Sequence, residues 1–190
     1  MSFVQGFVQG EKTRLPAVAL LAAALVVGCG TGDTGGDGPV PEGWGTLKTR
    51  AVTVAHPPAF TPQGDAERSR HNAAAAVRTE GGKATGMLSV QLDFTNADSV
   101  EEAAIGAEAG IALGSTLGEQ EEIEVAGPEG AREARRIAFA FTEKGTRYAG
   151  VIVAGLDAGK KAYAVRIDAA EGTLSDADVD RIVGSITVVG

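Results

Sequence analysis

The chain has 190 residues with 25 acidic and 17 basic side chains, so its formal net charge is −8 at pH 7. This balance argues against a nucleic-acid partner, because such affinity comes mainly from Lys and Arg that neutralise phosphates. The single cysteine excludes an internal disulfide and a thiolate-cluster metal site within these residues. We therefore expect no nucleic-acid partner, no metal and no cofactor.

The first predicted element is a targeting segment. Lys12 and Arg14 lie before and at the edge of an apolar run of 13 residues at 15–27. As a helix this run would rise about 20 Å, which is short against a hydrocarbon core about 30 Å thick. A charged region followed by a short apolar run is typical of a signal peptide rather than of a membrane span.

A lipid-attachment motif ends this run. The sequence Leu-Val-Val-Gly-Cys at 25–29 has the form of a bacterial lipobox, with small Gly28 before the cut and the thiol of Cys29 as the lipid acceptor. We predict that residues 1–28 are a lipoprotein signal peptide, that cleavage falls between Gly28 and Cys29, and that Cys29 carries a diacylglyceryl group. Two acyl chains give durable anchoring, at about 0.8 kcal/mol per buried methylene. The predicted location is therefore the extracytoplasmic face of the cell membrane; the alternative is a cysteine buried in an ordinary helix.

Residues 29–43 are predicted to be the lipidated cysteine followed by a disordered linker. Residues 30–43 are mostly glycine, threonine, aspartate and proline, without an apolar run that could offset the entropy of ordering. Such a chain would reach about 20 Å on average. The letters at 30–35 match G-x-G-x-x-G, but no predicted strand precedes them and no helix follows, so they do not indicate dinucleotide binding.

Residues 44–190 are predicted to form one folded domain. The first half shows alternating apolar positions, and the prolines of His56-Pro57-Pro58 end the first strand. The alanine-rich segment at 72–78 fits a helix or a strand, and we favour a strand. The predicted elements are, in order, a strand at 47–54, a polar turn region at 61–70, a strand at 72–78, a turn at 81–82 and a half-buried strand at 87–94.

The second half of the domain begins with a capping box, Ser99-x-x-Glu102, which predicts the start of a helix that extends to about Leu117. Three alternating segments separated by turns then predict an antiparallel meander. The predicted elements are a strand at 121–125, strands at 137–141, 148–153 and 163–167, a helix from Ser175 and a short closing strand at 188–189. Strands clustered around two helices indicate the α+β class.

This order of elements resembles a known family. The segments that carry the resemblance are His-Pro-Pro-Ala-Phe at 56–60, Asp-Ser-Val-Glu-Glu at 98–102 and Ser-Ile-Thr-Val at 185–188. Over residues 44–190 the chain is similar to the Mog/PsbP-like fold, and above all to the LpqN-like lipoproteins of actinobacteria. The resemblance implies a non-enzymatic accessory or binding module, linked in that family to cell-envelope lipid and glycolipid traffic and to protein partners. It carries over no catalytic residues.

Three residues are candidates for the rim of a binding cleft. Phe60 is the aromatic residue that follows the His-Pro element in the resembling family. His56 and Trp44 each have a second interpretation, His56 as a structural or solvent-exposed residue and Trp44 as a plug over the edge of the core. His71 follows Arg68-Ser69-Arg70, a small basic island that could meet an anionic headgroup or form a solvated loop.

Patterns that would indicate enzymatic or metal chemistry are weak. The segment Gly-Ser-Thr-Leu-Gly at 114–118 lacks the G-x-S-x-G frame and is predicted to close a helix, whereas a nucleophile elbow joins a strand to a helix. The aspartates at 176, 178 and 180 begin like a calcium loop, but Arg181 stands where that loop needs glycine. The predicted function is a membrane-anchored, non-enzymatic envelope module that binds a lipid, a glycolipid or a protein; an envelope hydrolase and a purely structural surface protein are the alternatives.

Overall fold

The computed structural model describes residues 40–111 and 114–190. The predicted signal peptide, the cleavage site at Gly28 and Cys29, and the linker up to residue 39 lie outside the described residues. The elements follow one another as β1 Gly45–Lys48, β2 Val52–His56, β3 Phe60–Pro62, β4 Ala74–Glu80, β5 Lys83–Leu92, α1 Val100–Glu108, β6 Thr116–Val125, β7 Arg132–Glu143, β8 Thr146–Leu156, β9 Ala162–Ala170, α2 Asp176–Gly184 and β10 Thr187–Val188. None of the helices in these two ranges is both long and apolar enough to cross a membrane.

The strands form two antiparallel sheets. The larger sheet has seven strands in the order β3-β4-β5-β9-β8-β7-β6, and the smaller has three in the order β1-β2-β10. The β7-β8-β9 part is the meander predicted from the alternating segments, and it has continuous pairing from Ala134↔Gly155 to Glu143↔Thr146 and from Tyr148↔Ala170 to Leu156↔Ala162. Two helices and antiparallel sheets confirm the α+β class.

The large sheet is covered on both faces, which makes the domain three layers thick. On one face, Leu88 and Val165 pack in a cluster with Val52 of the small sheet and Ile182 of α2. On the other face, Ile137 and Ile152 pack with Ala104 of α1. We call the first face the core face and the second the helix face. The alternation of each strand therefore divides its residues between two separate apolar clusters.

The predicted strand at 47–54 is wrong, because the chain turns back in its middle. The Oγ1 atom of Thr49 accepts hydrogen bonds from the backbone of Val52 at 2.9 Å and of Ala51 at 3.3 Å. The result is a β1–β2 hairpin in which Leu47 lies opposite Val54. Threonine can start a turn by bonding its own backbone a few residues on, and this signal is easily hidden by neighbouring valines.

Helix α1 begins where the capping box predicts and ends earlier than expected. The backbone of Glu102 donates to Oγ of Ser99 at 3.2 Å, and the carboxylate of Glu102 accepts from the backbone of Asp98 at 2.7 Å. The helix ends at Glu108 instead of near Leu117, and Gly114 beyond it has a φ of 87°. Glycine in this conformation does not continue a helix. Thr116–Val125 is therefore strand β6, and the predicted strand at 121–125 is its second half.

Helix α2 forms as predicted, and the closing strand is β10 at Thr187–Val188, one residue earlier than the predicted 188–189. Oγ of Ser175 accepts from the backbone of Asp178 at 3.1 Å, which caps the first turn of α2. Ile182 is fully buried against the small sheet, and β10 pairs with β2 through Thr187↔Thr53 and Val188↔Val52. The C-terminal segment thus completes the layer that covers the core face.

Aromatic rings lie over glycines at several places in the sheets. A side chain at any of these glycines would collide with the ring, because a Cβ atom there would lie 3.3 Å or less from a ring atom. The pairs are Phe139 over Gly150, Tyr163 over Gly155, His56 over Gly45 and Phe60 over Gly86. Glycine inside a strand often marks such a close approach, and the ring covers the backbone that glycine leaves bare.

Candidate functional site

A groove of about 930 Å³ opens on the helix face of the large sheet. One wall is the end of α1, the other is the 63–72 loop between β3 and β4, and the floor is formed by β4, β5 and β9. The lining residues are Gln63, Glu67, Ser69, Arg70, His71 and Asn72 of the loop, Gly106, Ala107, Ala109 and Gly110 of the helix, and Val77, Met87, Gln91, Leu92, Asp93, Phe94 and Arg166 of the floor.

The floor follows from the pairing of the strands. Val77 on β4 lies opposite Met87 on β5, and Ser89 on β5 lies opposite Arg166 on β9. Because alternate residues of a strand share a face, Met87, Ser89 and Gln91 all stand on the helix face. Beyond β5, Asp93 has a φ of 50°, which ends the strand and brings Phe94 against the helix cluster. The predicted strand at 87–94 therefore ends two residues early, and Phe94 belongs to the groove.

The helix wall lies close to the sheet because its inner residues are small. Ala103, Ala104 and Ala107 are buried, and a Cβ atom at Gly106 would lie 2.7 Å from Cγ2 of Thr95. Such small side chains let a helix approach a sheet closely, which leaves a groove at its end rather than a thick covering layer.

An arginine holds the start of α1 against the sheet. Arg135 on β7 forms ion pairs with Glu101 of α1, with Glu122 of β6 at 2.9 Å and with Glu133 of its own strand at 3.1 Å. The hydrogen bond from Arg135 lowers the pKa of Glu101 from its ordinary value. This network fixes the position of the helix whose other end forms the groove wall.

The loop wall is held by its own polar contacts. Nε of Arg68 donates to the carbonyl of Asn72 at 3.0 Å, and Nε2 of Gln91 donates to Oδ1 of Asn72 at 3.2 Å. Arg70 and His71 are exposed at the mouth of the groove, with Nε of Arg70 donating to Nε2 of His71 at 3.2 Å. The basic island predicted at 68–71 thus forms one edge of the groove.

Arg166 is the positively charged residue among the floor residues named above. Its Nε atom donates to Oδ1 of Asp168 at 2.7 Å, and its guanidinium carbon lies 4.8 Å from the ring centre of Phe139 and 5.8 Å from that of Phe141. Phe141 in turn stacks on Tyr148 with ring centres 5.0 Å apart. The carboxylate on one side and the aromatic faces on the other both stabilise the cation and restrict its position.

Asp168 is nearly buried, and burial raises its pKa from the ordinary value of 3.8, although the charge of Arg166 opposes the shift and Glu143 adds to it. We therefore expect the side-chain carboxyl carbon of Asp168 to titrate above 3.8 in a ¹³C NMR experiment. A raised folded-state pKa means that the folded protein binds more protons than the unfolded one. The contribution of Asp168 to the free energy of unfolding should accordingly fall as the pH rises from about 3.8 through the raised pKa of the folded state. It should recover on acidification.

The control for this prediction is Asp168→Asn. The amide keeps the shape and an acceptor for Arg166 but cannot titrate, so urea unfolding of the variant should lack the pH dependence that Asp168 adds to the parent protein. A titration midpoint at or below 3.8 would contradict the interpretation.

The cleft residues predicted from the sequence do not meet at this groove. Phe60 and His56 are 2% and 4% exposed, and Trp44 is half-buried against the core-face cluster. Nδ1 of His56 lies 3.1 Å from the carbonyl of Pro57, and its ring covers Gly45. The structure thus places His56 and Phe60 as core residues, and none of the three lines the groove.

Sequence reasoning missed Met87, Phe94 and Arg166 as site residues. Arg166 had a visible signal, since it stands between Val165 and Ile167 in a strand that is otherwise apolar, with Asp168 two residues on and hence on the same face. A charged pair within a buried strand needs a structural reason. The sequence had no such signal for Met87 and Phe94, because their placement together in the groove depends on the position of α1.

Patterns considered for other chemistry occupy separate places. The segment at 114–118 leads into β6 and does not close a helix as predicted. Asp178 accepts a hydrogen bond from Oγ of Ser175 at the N-terminus of α2 and forms an ion pair with Arg181 at 3.0 Å. Within 40–111 and 114–190, no group of three or more His, Cys, Asp or Glu side chains is placed to hold a metal ion.

No family model matches the sequence, and no curated protein matches it. The solved structures that the chain is similar to include the following two. One is a protein from Bacteroides thetaiotaomicron VPI-5482, with 11% identity and a TM-score of 0.46 over 72% of this chain and 44% of that one, so the chain spans less than half of its length. The other is LpqN, involved in cell envelope biogenesis of Mycobacterium tuberculosis, with 15% identity and a TM-score of 0.45 over 84% of this chain and 88% of that one.

Proposed function

We propose that this chain is a lipoprotein of the cell envelope, anchored through Cys29 at the extracytoplasmic face of the membrane, whose domain binds a lipid or glycolipid in the groove. The observation that carries the binding role is the groove itself, in which apolar residues of the floor and the helix wall lie beside Arg166 and face a polar loop. The anchor is a proposal from the lipobox in the sequence. Together they describe a non-enzymatic accessory module held close to its ligand.

The size of the groove supports a ligand of this class. Its volume of about 930 Å³ lies within the range of roughly 300–1,000 Å³ that is usual for small-molecule sites. Met87, Phe94 and Ala107 offer it apolar surface, and burying apolar surface contributes about 25 cal/mol per Å². A small polar metabolite would leave this surface unused, whereas an acyl or prenyl chain would cover it.

The polar edge supports an amphiphile rather than a plain hydrocarbon. Arg70 and His71 are exposed at the mouth, and Ser69 and Asn72 add a hydroxyl and an amide to the lining. Such groups can donate hydrogen bonds to a phosphate, a carboxylate or a sugar hydroxyl. A ligand with an apolar tail and a polar head matches the two sides of the groove.

A groove-filling variant tests the proposal. Ala109 is exposed at the end of α1, has a helical backbone with φ of −61°, and lines the groove. Ala109→Trp should therefore fold normally and fill part of the space. We expect lipid that co-purifies with the protein from native membranes, measured by solvent extraction and mass spectrometry, to fall to a tenth or so of the parent amount, since the lost contacts are worth about 1.4 kcal/mol.

Ala158→Trp is the matched control, because Ala158 is exposed in the β8–β9 turn and lies outside the groove lining. It should retain the parent amount of lipid. If the parent protein yields no lipid above the background of an unrelated lipoprotein, or if both variants retain it equally, the groove is not a lipid site.

A further inference from the structure

A buried hydroxyl without a hydrogen-bond partner, that of Ser89, lies just below the floor of the groove, between two residues that line it. Ser89 is 1% exposed, and its Oγ atom has no hydrogen-bond partner among the described residues. A buried hydroxyl without a hydrogen-bond partner destabilises the folded state, so most buried hydroxyls have one. Since Ser89 stands between Met87 and Gln91 on the face that the groove opens on, the missing partner points to something that enters the groove.

Arg166 beside it also has unused donors. Ser89 and Arg166 are directly opposite on adjacent strands, so their Cβ atoms are about 5 Å apart on the same face. Asp168 accepts from Nε of Arg166, and in the part of the chain that the structure describes the two terminal nitrogens have no acceptor. A guanidinium carries five N–H donors, so a forked pair remains free to bind an anion.

Nearby acidic groups leave this fork available. Asp168 occupies the Nε side only. Of the two acids in the lining, Asp93 pairs with Arg50, and Glu67 accepts from the backbone of Gly64 at 3.2 Å. Arg70 at the mouth adds a further positive charge. The floor therefore offers the free donors of a fixed cation next to apolar surface, with the hydroxyl of Ser89 directly below them.

We propose that the groove binds an acidic amphiphile, a molecule with one carboxylate or phosphate on an apolar chain, with its anion on Arg166 and Ser89 and its chain along Met87, Phe94 and Ala107. This inference rests on the proposed function and narrows it from lipids and glycolipids in general to those with a single anionic group. Arg166 is held in place for this role by Asp168 and by the rings of Phe139 and Phe141. The free fork then receives two anionic oxygens, and Ser89 donates to one of them.

The chain contains a natural reporter for the test. It has two methionines, Met1 and Met87, so the mature protein expected after cleavage before Cys29 has Met87 alone. The full mature protein, labelled with ¹³C-methyl methionine and placed in phosphatidylcholine nanodiscs, would give one methyl signal, from the groove. The probes are octanoate, octyl phosphate, neutral octyl glucoside and inorganic phosphate. Each probe is also added to the Ala109→Trp variant.

We expect octanoate and octyl phosphate to shift the Met87 signal in a saturable way, and octyl glucoside and inorganic phosphate to bind at least about tenfold more weakly. Ala109→Trp should abolish the shift. If inorganic phosphate saturated the shift at the same concentration as octyl phosphate, the groove would be a site for free anions. That result would contradict the proposal of an amphiphilic ligand. Equal affinity for octyl glucoside would overturn the role of the anion.

Three variants locate the anion. Arg166→Gln should weaken both acidic probes about tenfold or more, and Ser89→Ala by a few-fold, because a charge-assisted bond is worth more than a neutral one. Asp168→Asn should strengthen them, since it removes a competing carboxylate and keeps an acceptor for Nε. Arg147→Gln is the matched control, because Arg147 pairs with Glu171 at 2.6 Å outside the groove.

The failure of this inference differs from the failure of the proposed function. Ser89→Ala removes only a hydroxyl, so it should keep the fold even if Arg166→Gln does not, and circular dichroism checks both. Unchanged affinity in folded Arg166→Gln or Asp168→Asn would overturn the assignment of the anion. Extraction of a neutral glycolipid that Ala109→Trp displaces would leave the proposed function standing and end this inference.

Discussion

The Cys29→Ala variant should lose its stable lipid attachment to the membrane and be released or mislocalised. The variant has no thiol to accept the diacylglyceryl group, and without acylation the signal peptide is not removed by the lipoprotein route. Each buried methylene contributes about 0.8 kcal/mol, and even a single myristoyl chain gives only marginal binding with a constant near 10⁴ M⁻¹. Loss of two chains should therefore change localisation from almost wholly bound to released or mislocalised. Fractionation of cells followed by immunoblotting measures this directly.

Thr31→Ala is the control, since it changes a residue two positions beyond the cysteine and should stay on the membrane. Globomycin, which blocks the lipoprotein signal peptidase, should make the precursor of the parent protein accumulate. Mass spectrometry of the mature protein should find acyl chains on an N-terminal Cys29. Unchanged membrane association of Cys29→Ala, or an unmodified sulfur, would overturn the lipobox assignment.

The same chemical change at two glycines should have opposite effects on stability. A Cβ atom at Gly150 would lie 2.4 Å from the carbonyl oxygen of Ile167, 2.7 Å from the ring of Phe139 and 2.9 Å from Cβ of Asp168. Backbone of the neighbouring strand must move to admit it, so Gly150→Ala should destabilise the domain by about 3 kcal/mol, at the upper end for overpacking. At this cost much of the margin of a typical domain is lost.

Gly184→Ala is the matched control. Gly184 is the last residue of α2, and a Cβ atom there would meet nothing within 4 Å. Alanine should stabilise the helix by about 0.5–1 kcal/mol, because glycine loses more backbone freedom on folding. Urea unfolding of both variants measures the contrast. Equal stability of Gly150→Ala and the parent would show that the ring and the strand can move aside at little cost.

The elements that the sequence predicted well are those whose signals are local. The alternation at Ile137, Phe139 and Phe141 and the caps at Ser99 and Ser175 depend on residues a few positions apart, and the strands and helices form there. The β1–β2 hairpin was missed because residues 47–54 were interpreted as one alternating strand, whereas Thr49 forms a turn in the middle of the segment. The early end of α1 was missed because alanines at and beyond its C-terminus favour a helix, although the helix stops at Glu108, two residues before Gly110.

The candidate site was less predictable because it is made by distant segments. His71 and its basic neighbours were noticed, but their meeting with Met87 and Arg166 depends on how the 63–72 loop, α1 and three strands assemble. His56 and Phe60 were chosen as rim residues because a family motif lies there, yet both are in the core. A histidine next to a strand end can be buried simply because the facing residue, Gly45, leaves room for its ring.

The rings that cover glycines also bear on how this sequence can change over evolutionary time. The ring of Phe139 occupies the space that a side chain at position 150 would need. Neither position can therefore vary freely while the other stays the same. We expect related chains to exchange such partners together, a smaller residue on one strand accompanying a larger one on the next. Drift would then proceed by paired replacements that preserve the shape of the sheet while erasing the likeness of the letters.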